Sequence, residues 1–431
     1  MQWSNITPNE HGDWLNKRSE MFKHYTLLGN KDDKKDKRTF FVPYYSRGLA
    51  TCRDTWSYNS SKQKVQRSAE EQIAFYNEQR VKLANHEIEN VDYSTNKISW
   101  TRAVLADISK NKIYDIDKCQ YRISTYRPFY KQHLLYYRPL NEMMYQIPRI
   151  YPTPKHQNLV ICTSSIGDNI FSTLITNCVP DLHMIATTQC FPLYWYDDST
   201  ADIADLFSTP QNEEDRYVRR DGITDWILST ARKQYGSKVG KEDIFYYVYG
   251  ILHSPEYRTA FASDLKKSLP RLPLVNSADE FWAFSKAGRE LAELHLNYET
   301  VEPYKGCMLI YGANTNRGDS MNYRVEKICF GKLDSKTPDK TKIHYNQHIT
   351  IENIPLEAYD YVVNGKSAIE WIMERYAVTV NKDSGICNDP NDWASEHNDE
   401  KYILNLLLRI ITVSLATTEI VNSLPKLKFE E

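Results

Sequence analysis

The spacing of apolar residues changes twice along this 431-residue chain, and those changes constrain the fold more than any other feature. From about 121 to 196, short apolar runs are separated by polar, Pro and Asn turns, which is typical of strands. Residues 223–298 then place apolar side chains every three to four positions, as helices do, and residues 303–363 return to alternation. We therefore expect an α+β fold, with a mixed, curved β-sheet body, a helical insertion and a C-terminal α/β part. Residues 303–363 are expected to rejoin the strands of 121–196 in one strand-rich body.

The same changes divide the chain into four expected units. These are a leading segment at 1–120, a strand-rich part at 121–222, a helical part at 223–302 and a C-terminal strand and helix part at 303–431. Ser254 before a proline and Ser277 three residues before a glutamate are helix-start signals in the third unit. Further expected elements are a helix at 68–86 capped by Ser68, strands near 98–100 and 183–186, and a last helix at about 399–422.

Charge and cysteine usage narrow the class of protein. Lys and Arg total 54 against 56 for Asp and Glu, and a net charge of -2 excludes a polybasic protein but not a local basic face. Residues 31–67 are such a region, with ten bases and four acids.

No two of the eight cysteines form a CxxC, so a disulfide framework is not expected. The apolar stretch at 403–415 is too short and interrupted to span a bilayer, and we expect a soluble, cytoplasmic protein with no membrane partner.

Motifs of common catalytic sites are absent from the sequence. There is no GxxxxGKS/T loop, no GxGxxG after a strand, no Asp/Asn-Pro-Pro-Tyr/Phe tetrapeptide, no GxSxG and no HExxH. His344 and His348 have the spacing of two metal ligands on a helix, but the residues around them alternate as in strands. We assign no catalytic residue, no metal site and no cofactor to this chain, and expect binding rather than chemistry.

A basic and aromatic segment at 121–160 indicates what is bound. It holds six bases, one acid and seven tyrosines. Bases neutralise phosphates and tyrosines can stack on displaced bases, so Arg127, Lys131 and Arg138 are the predicted phosphate contacts. The alternative is a sheet edge whose tyrosines pack and whose bases are solvated.

A second candidate is the polar loop at 312–319. Its side chains Asn314, Asn316 and Arg317 are types that pair with base edges, Asn with adenine and Arg with guanine. We predict that they read bases, although the same residues also suit an ordinary hairpin turn.

Several phrases in a fixed order resemble one protein family. They include FFVPYYSRG at 40–48, YRPF at 126–129, DIFYYVYGILHSPEYR at 243–258 and SAIEWIMERY at 367–376. Together they resemble the C-terminal part of the type ISP restriction–modification enzymes. Those bacterial polypeptides combine a nuclease, a helicase-like ATPase, an adenine-N6 methyltransferase and a DNA-specificity, or target-recognition, domain.

The resemblance implies a function for each part of the chain. Residues 1–120 would trail the methyltransferase core, and those from about 121 onward would form the specificity domain. The chain would recognise double-stranded DNA of specific sequence and hold it for adenine-N6 methylation and ATP-dependent cleavage. S-adenosylmethionine, ATP and Mg²⁺ would bind only to the methyltransferase, helicase-like and nuclease domains of the same polypeptide.

Two alternatives remain open at this point. In the first alternative to DNA recognition, the chain is a structural coupler that docks other domains without reading bases. In the second, it is a stand-alone enzyme with an unrecognised site. Candidate residues for such a site are His253, Glu256 and His295, which lie in helical stretches where capping or core roles are more common.

Overall fold

The computed structural model describes residues 6–9, 12–15, 17–33, 35–43, 45–167, 170–198, 216–312 and 320–429. Residues before 120 contain one long helix among short elements. In chain order these are α1 (Glu20–His24), β1 (Thr26–Leu27), β2 (Ser46–Arg47), α2 (Asp54–Ser57), β3 (Tyr58–Asn59), α3 (Lys62–Ala84) and α4 (Arg102–Ser109).

The start of α3 and the segment at 98–100 differ from the sequence-based expectation. Ser61 caps α3 by accepting a hydrogen bond from the Lys64 N–H, so the helix begins before Ser68. Ser68 lies inside the helix and donates to the Trp56 carbonyl over 3.2 Å. Residues 98–100 have no regular structure, because Thr101 next to them caps α4.

Residues 120–221 form the expected strands. They are β4 (Gln120–Arg127), β5 (Tyr130–Tyr136), α5 (Ile147–Ile150), β6 (Val160–Thr163), β7 (Thr173–Thr176), β8 (Val179–Pro180), β9 (Gln189–Pro192), β10 (Tyr194–Asp198) and β11 (Tyr217–Asp221). The strand expected at 183–186 is a turn instead, because the Asp181 carboxylate accepts from the His183 N–H and Ala186 has a positive φ of 50°.

Residues 225–296 are mainly helical, as expected. The elements are α6 (Asp225–Tyr235), α7 (Lys241–His253), α8 (Pro255–Ala260), α9 (Ala262–Lys267), β12 (Arg271–Leu272) and α10 (Ala278–Leu296). Ser254 caps α8, and Ser277 with Glu280 forms a capping box on α10, so both helix-start predictions are confirmed.

The C-terminal part mixes strands and helices. It contains β13 (Met308–Tyr311), β14 (Cys329–Lys332), β15 (Pro338–His344), β16 (Ile349–Glu352), β17 (Val362–Val363), β18 (Lys366–Ser367), α11 (Ala368–Arg375), β19 (Thr379–Val380), β20 (Cys387–Asn388), α12 (Pro390–Glu396) and α13 (Tyr402–Ser423). His344 ends β15 and His348 precedes β16, so the two histidines do not share a helix face.

The strands form three four-stranded sheets within the described residues. We call β2-β9-β6-β7 the central sheet, β3-β5-β4-β8 the hairpin sheet and β13-β16-β15-β14 the C-terminal sheet. The α+β class is confirmed, and the parallel pair β4 and β8 makes the hairpin sheet mixed. Residues 303–363 form their own sheet and do not rejoin the strands of 121–196, which corrects our expectation of one strand-rich body.

The central sheet is buried on both faces, which explains its nearly continuous apolar sequence. Phe191, Ile161 and Ile175 lie side by side on three strands and pack against the helices of 225–296. Cys162 and Leu174 face the opposite side, among residues of the hairpin sheet, the C-terminal sheet and α13. The helical insertion and the C-terminal part are thereby fixed to opposite faces of one sheet.

Helix α13 corrects one expectation. It is long and apolar enough to cross a membrane by length and composition, contrary to our estimate from residues 403–415. However, 56% of its apolar window is buried within the protein, and Leu406, Leu407 and Ile410 belong to the core beneath the central sheet. Its apolar side chains are therefore accounted for by packing inside this chain.

Candidate nucleic-acid interface

The segment at 121–160 begins with the hairpin of β4 and β5, and most of its tyrosines are buried. Tyr130, Tyr136, Tyr137 and Tyr151 are each at most 8% exposed, and burial raises the pKa of Tyr136 to about 12. Buried rings do not stack on the bases of a nucleic acid. Tyr145, at 38% exposed, is the most accessible of the seven. Four of the seven tyrosines therefore pack in the core, as the alternative of packed tyrosines and solvated bases expects for the rings; Arg122, at 6% exposed, does not fit its second half.

Arg127, a predicted phosphate contact, lies in an internal network. Its guanidinium is 2.7 Å from the Asp181 carboxylate and 3.7 Å from that of Asp54, and it lies 3.8 Å from the centre of the Tyr126 ring. The side chain is 13% exposed. This geometry favours a structural role for Arg127, and its phosphate contact stays a prediction.

Lys131 is also paired within the protein. Its ammonium lies 2.5 Å from the Glu299 carboxylate, which in turn accepts a hydrogen bond from the Tyr402 hydroxyl over 2.5 Å. Burial lowers the pKa of Lys131, but Glu299 outweighs this effect and the pKa is raised. The pair lines a cavity of about 870 Å³ and connects β5 with the ends of α10 and α13.

Arg138 differs from the other two predicted phosphate contacts. It is exposed in a 3₁₀ turn after β5, and it makes no ion pair with a carboxylate in the described part of the chain. Arg127 lies at the opposite end of the hairpin, roughly 25 Å away at the usual rise per strand residue. The three bases therefore do not form one patch, and Arg138 is the one whose charge is available to a phosphate.

The predicted base-reading residues Asn314, Asn316 and Arg317 lie outside the described residues. The N–H of Gly312, the last residue described before them, donates to the His348 carbonyl over 2.9 Å. A cavity of about 510 Å³ beside this turn is lined by bases, amides and one acid: Arg324, Lys327, His344, Asn346, Gln347, His348 and Glu326, together with Cys329. Glu326 pairs with Arg324 over 2.9 Å. The loop prediction stays a prediction.

A second polar surface lies at one end of the central sheet, and the sequence analysis did not identify it. Arg47 on β2 pairs in register with Gln189 on β9, which pairs with Thr163 on β6 and through it with Thr173 on β7. The next row of the same sheet is Ser46, Cys190, Cys162 and Leu174. The row is therefore polar, but only Arg47, on the edge strand β2, is exposed; Gln189, Thr163 and Thr173 are each at most 7% exposed.

Two residues of this row, Arg47 and Gln189, line a cavity of about 430 Å³, which we call the Arg47 cleft. Its polar lining also includes Lys31, Tyr145, Gln146 and Ser165. Local hydrogen bonds hold these groups in place. The Gln146 N–H donates to the Ser46 hydroxyl over 3.0 Å, and the Gln189 side-chain amide donates to the Ser165 hydroxyl over 3.1 Å. A Cβ on Gly48 would lie 2.4 Å from the Asp181 carbonyl oxygen, so β2 needs glycine at this position.

The charge of the Arg47 cleft suits an anionic ligand. Lys31 and Arg47 are both exposed, and no described residue that lines the cleft is acidic. Burial, together with the charge of Asp32, raises the pKa of the cleft residue Tyr45 to about 12. Arginine and amide side chains side by side are the groups that form paired hydrogen bonds with base edges.

Sequence reasoning missed this cleft because the residues named above come from five separate segments, at 31, 47, 145–146, 165 and 189. The available signals were the basic excess at 31–67, which contains Lys31 and Arg47, and the phrase FFVPYYSRG. Neither signal indicates that Gln146, Ser165 and Gln189 lie beside Arg47. The strand register of the central sheet places Gln189 there, and hydrogen bonds to Ser46 and Gln189 place Gln146 and Ser165.

The three residues proposed for a stand-alone enzyme do not form an open site. His253 and His295 are each 2% exposed, and burial lowers the pKa of both, that of His295 to about 3. His295 bonds to the Tyr249 hydroxyl over 2.7 Å and to Thr417 over 3.0 Å. Glu256 instead pairs with Lys426 at the surface. Neither histidine lines a described cavity, so both are core groups.

Comparison with known proteins gives consistent matches. Residues 40–406 match the family described as the Type ISP C-terminal specificity domain. No curated protein matches the chain. Among solved structures, the ATP-dependent Type ISP restriction-modification enzyme LlaBIII bound to DNA is 34% identical with a TM-score of 0.83. A nuclease-deletion mutant of the Type ISP enzyme LlaGI, in complex with a DNA substrate mimic, is 33% identical with a TM-score of 0.81. The DrdV–DNA complex is 28% identical with a TM-score of 0.81.

The fraction of each chain that the matches cover shows which part of the relatives this protein resembles. The matches cover 99%, 100% and 100% of this chain but 26%, 37% and 41% of LlaBIII, LlaGI and DrdV. The similarity therefore extends over nearly all of the present sequence and less than half of each relative. This chain belongs to the Type ISP C-terminal specificity domain family.

Proposed function

We propose that this chain recognises a specific sequence of double-stranded DNA, as the specificity module of a Type ISP restriction–modification enzyme. Support comes from the family and from three relatives whose solved structures contain DNA or a DNA mimic. The observation that carries the proposal is the Arg47 cleft, where the exposed Arg47 lies beside Gln189 and no described lining residue is acidic.

Each group in the cleft suits a part of DNA. Arg47 and Gln189 carry the side-chain types that form paired hydrogen bonds with guanine and adenine edges. Lys31 is exposed and suits a phosphate contact, which positions the duplex without reading its sequence. Gln146 and Tyr145 add hydrogen-bonding groups on the same rim.

The rest of the proposal concerns domains beyond this chain. Residues of this chain hold the duplex, while the methyltransferase, helicase-like and nuclease domains of the same polypeptide modify adenine and cleave DNA. S-adenosylmethionine, ATP and Mg²⁺ bind in those domains, and this chain contributes no catalytic residue. The site of action is the bacterial cytoplasm, where the DNA is.

Selection from a randomised duplex library tests the proposal with the chain as it stands. The expected result is one enriched sequence, followed by a footprint on that sequence. Arg47→Ala should weaken binding to the enriched duplex, whereas Lys286→Ala should not, because Lys286 is exposed on α10 outside the cleft.

Two outcomes contradict the proposal. If no sequence is enriched and the chain binds all duplexes equally at low salt, it does not read bases. If it binds no DNA at low salt, the structural coupler becomes the better interpretation.

A further inference from the structure

Arg53 is a buried arginine whose charge has no partner in the described structure. Arg53 is only 4% exposed and lies at the start of α2. Nη2 donates to the Thr101 hydroxyl over 2.9 Å, while Nε and Nη1 are buried without a hydrogen-bond partner among the described residues. A buried guanidinium with unsatisfied donors is costly, since burial of a charge requires compensation.

The surroundings of Arg53 add to its positive charge. Thr101 is the N-cap of α4, and the N-terminus of a helix carries partial positive charge that disfavours a nearby cation. Arg53 forms no ion pair with a described carboxylate, and burial lowers its pKa to about 10, partly offset by Tyr114 and Glu142. The buried guanidinium and the N-terminus of α4 together favour the binding of an anion beside Arg53.

The adjacent carboxylate of Asp54 does not supply that anion. One of its oxygens accepts from the Thr51 hydroxyl over 2.5 Å, and the other accepts from Tyr126 over 3.1 Å and lies 3.7 Å from Arg127. Asp54 therefore belongs to the network of Arg127, and Arg53 is left without a negative partner.

Arg53 lines a cavity of about 380 Å³ with an aromatic wall, formed by Trp56, Tyr93 and Trp100. Tyr93 is 59% exposed, and its ring meets that of Trp100 edge to face at 6.5 Å. The lining also includes Asp54, whose carboxylate is engaged as described above, and Asn381, Asp383 and Ser384 from the turn between β19 and β20. A cavity of this size with a cation at its base and aromatic rings at its mouth matches the shape of a nucleotide.

We propose that this cavity binds a nucleotide, with the phosphate at Arg53 and the base against Trp100 and Tyr93. The nucleotide is either free or an unpaired nucleotide of bound DNA. Arg53 lies six residues from Arg47, so the two Cα atoms are at most about 20 Å apart. An unpaired nucleotide beside a duplex in the Arg47 cleft can therefore reach the cavity at Arg53. Binding of a nucleotide that belongs to DNA rests on the proposed function, whereas binding of a free nucleotide does not.

Tryptophan fluorescence tests the cavity directly, because two of its wall residues are tryptophans. Deoxyadenosine monophosphate should quench the emission to saturation. Deoxyadenosine and inorganic phosphate should each bind at least about tenfold more weakly, since each lacks one half of the contacts. Arg53→Gln should weaken deoxyadenosine monophosphate binding by about tenfold, and Arg102→Gln, which removes an exposed charge at the start of α4, by less than about twofold.

Tyr93→Ala gives a second variant at an exposed position, where the fold does not depend on the ring, and it should weaken the same binding several-fold. A duplex with one unpaired nucleotide, compared with its fully paired form, distinguishes the source. Tighter binding of the unpaired form, lost in Arg53→Gln, supports a nucleotide of DNA. Binding of deoxyadenosine monophosphate alone supports a free nucleotide.

The proposal is overturned if the chain binds neither deoxyadenosine monophosphate nor the unpaired duplex more tightly than the paired one. Equal losses in Arg53→Gln and Arg102→Gln also overturn it, because they indicate general charge attraction. Binding of the fully paired, selected duplex is measured in parallel. It reports on the proposed function, which can succeed when the nucleotide site fails.

Discussion

The Arg127 guanidinium lies 2.7 Å from the Asp181 carboxylate, and the two side chains are 13% and 2% exposed. The Tyr58 hydroxyl donates to the second oxygen of Asp181 over 3.0 Å. Burial raises the pKa of Asp181 to about 6, although Arg127 lowers it. Leu49, just after β2, is bridged to Asp181 through the backbone. This ion pair therefore connects the hairpin sheet to the strand that carries Arg47.

Arg127→Ala should destabilise the fold rather than remove one phosphate contact. It leaves the Asp181 carboxylate buried and unpaired, which we expect to lower the free energy of unfolding by about 3–5 kcal/mol. Urea unfolding measures this, with Arg138→Ala as the exposed control, expected to change stability by less than about 0.5 kcal/mol. The double variant Arg127→Met with Asp181→Leu should recover part of the loss. Unchanged stability of Arg127→Ala together with weaker binding to every duplex would restore its phosphate role.

Arg138→Ala should weaken binding to all duplexes about equally and reduce the slope of log affinity against log salt by roughly one unit. The reason is that an exposed, unpaired charge contributes through counterion release rather than base contacts. Affinities for selected and scrambled duplexes at several salt concentrations provide the measurement. An effect limited to the selected duplex would assign Arg138 to base reading.

Arg47→Ala should behave differently, with a loss of about 1–3 kcal/mol on the selected duplex and relaxed discrimination at one base pair. The same measurement applies to Asn316→Ala and Arg317→Ala, whose predicted loss is of the same size. Stability should change little in Arg47→Ala, because the side chain is exposed. If Asn316 and Arg317 matter and Arg47 does not, the C-terminal loop reads the bases and the Arg47 cleft does not.

Local signals in the sequence predicted the secondary structure well. Ser277 and Glu280 sit three residues apart, and the capping box that they form depends only on this spacing. The strands of the central sheet were recognisable because both of its faces are buried and its residues are continuously apolar. Ser68 failed as a cap because Ser61, seven residues earlier, starts the same helix.

The site was less predictable because exposure depends on residues far apart in the chain. Arg127 and Arg138 are alike in sequence context, yet Arg127 is paired with Asp181, which lies 54 residues away in the chain. The partner of Lys131 is Glu299, 168 residues away. No local pattern encodes such pairs, so composition identified a basic segment but not which of its bases are available.

Gly288→Ala should destabilise the chain, although alanine normally favours a helix over glycine by about 1 kcal/mol. A Cβ on Gly288 of α10 would lie 1.9 Å from the Tyr246 carbonyl oxygen on α7, so the two helices would have to separate. We expect a loss of about 1–3 kcal/mol, as for other overpacked sites. Thermal unfolding checks this, and Ala283→Ser on the exposed side of α10 is the control. A gain in stability would mean that α7 and α10 pack less closely than described.

Lowering the pH from 7.5 to 5.5 should destabilise the chain through its buried histidines, partly offset by Asp181, whose raised pKa of about 6 lets the folded state take up a proton in the same interval. Burial holds the pKa of His295 at about 3 and that of His253 well below its usual value, so both stay neutral in the folded state. In the unfolded state they have a pKa of about 6.5, so below that pH the unfolded chain takes up protons that the folded chain does not. Stability is then lost by about 1.4 kcal/mol per histidine over this interval, and for His295 the loss continues down to a pH of about 3.

Urea unfolding at pH 7.5, 6.5 and 5.5 measures the slope of the free energy of unfolding against pH. His295→Gln should reduce the loss over this interval by about 1.4 kcal/mol, whereas His344→Gln, at an exposed position on the C-terminal sheet, should leave it unchanged. Equal slopes in the wild type and His295→Gln would mean that His295 is protonated in the folded protein.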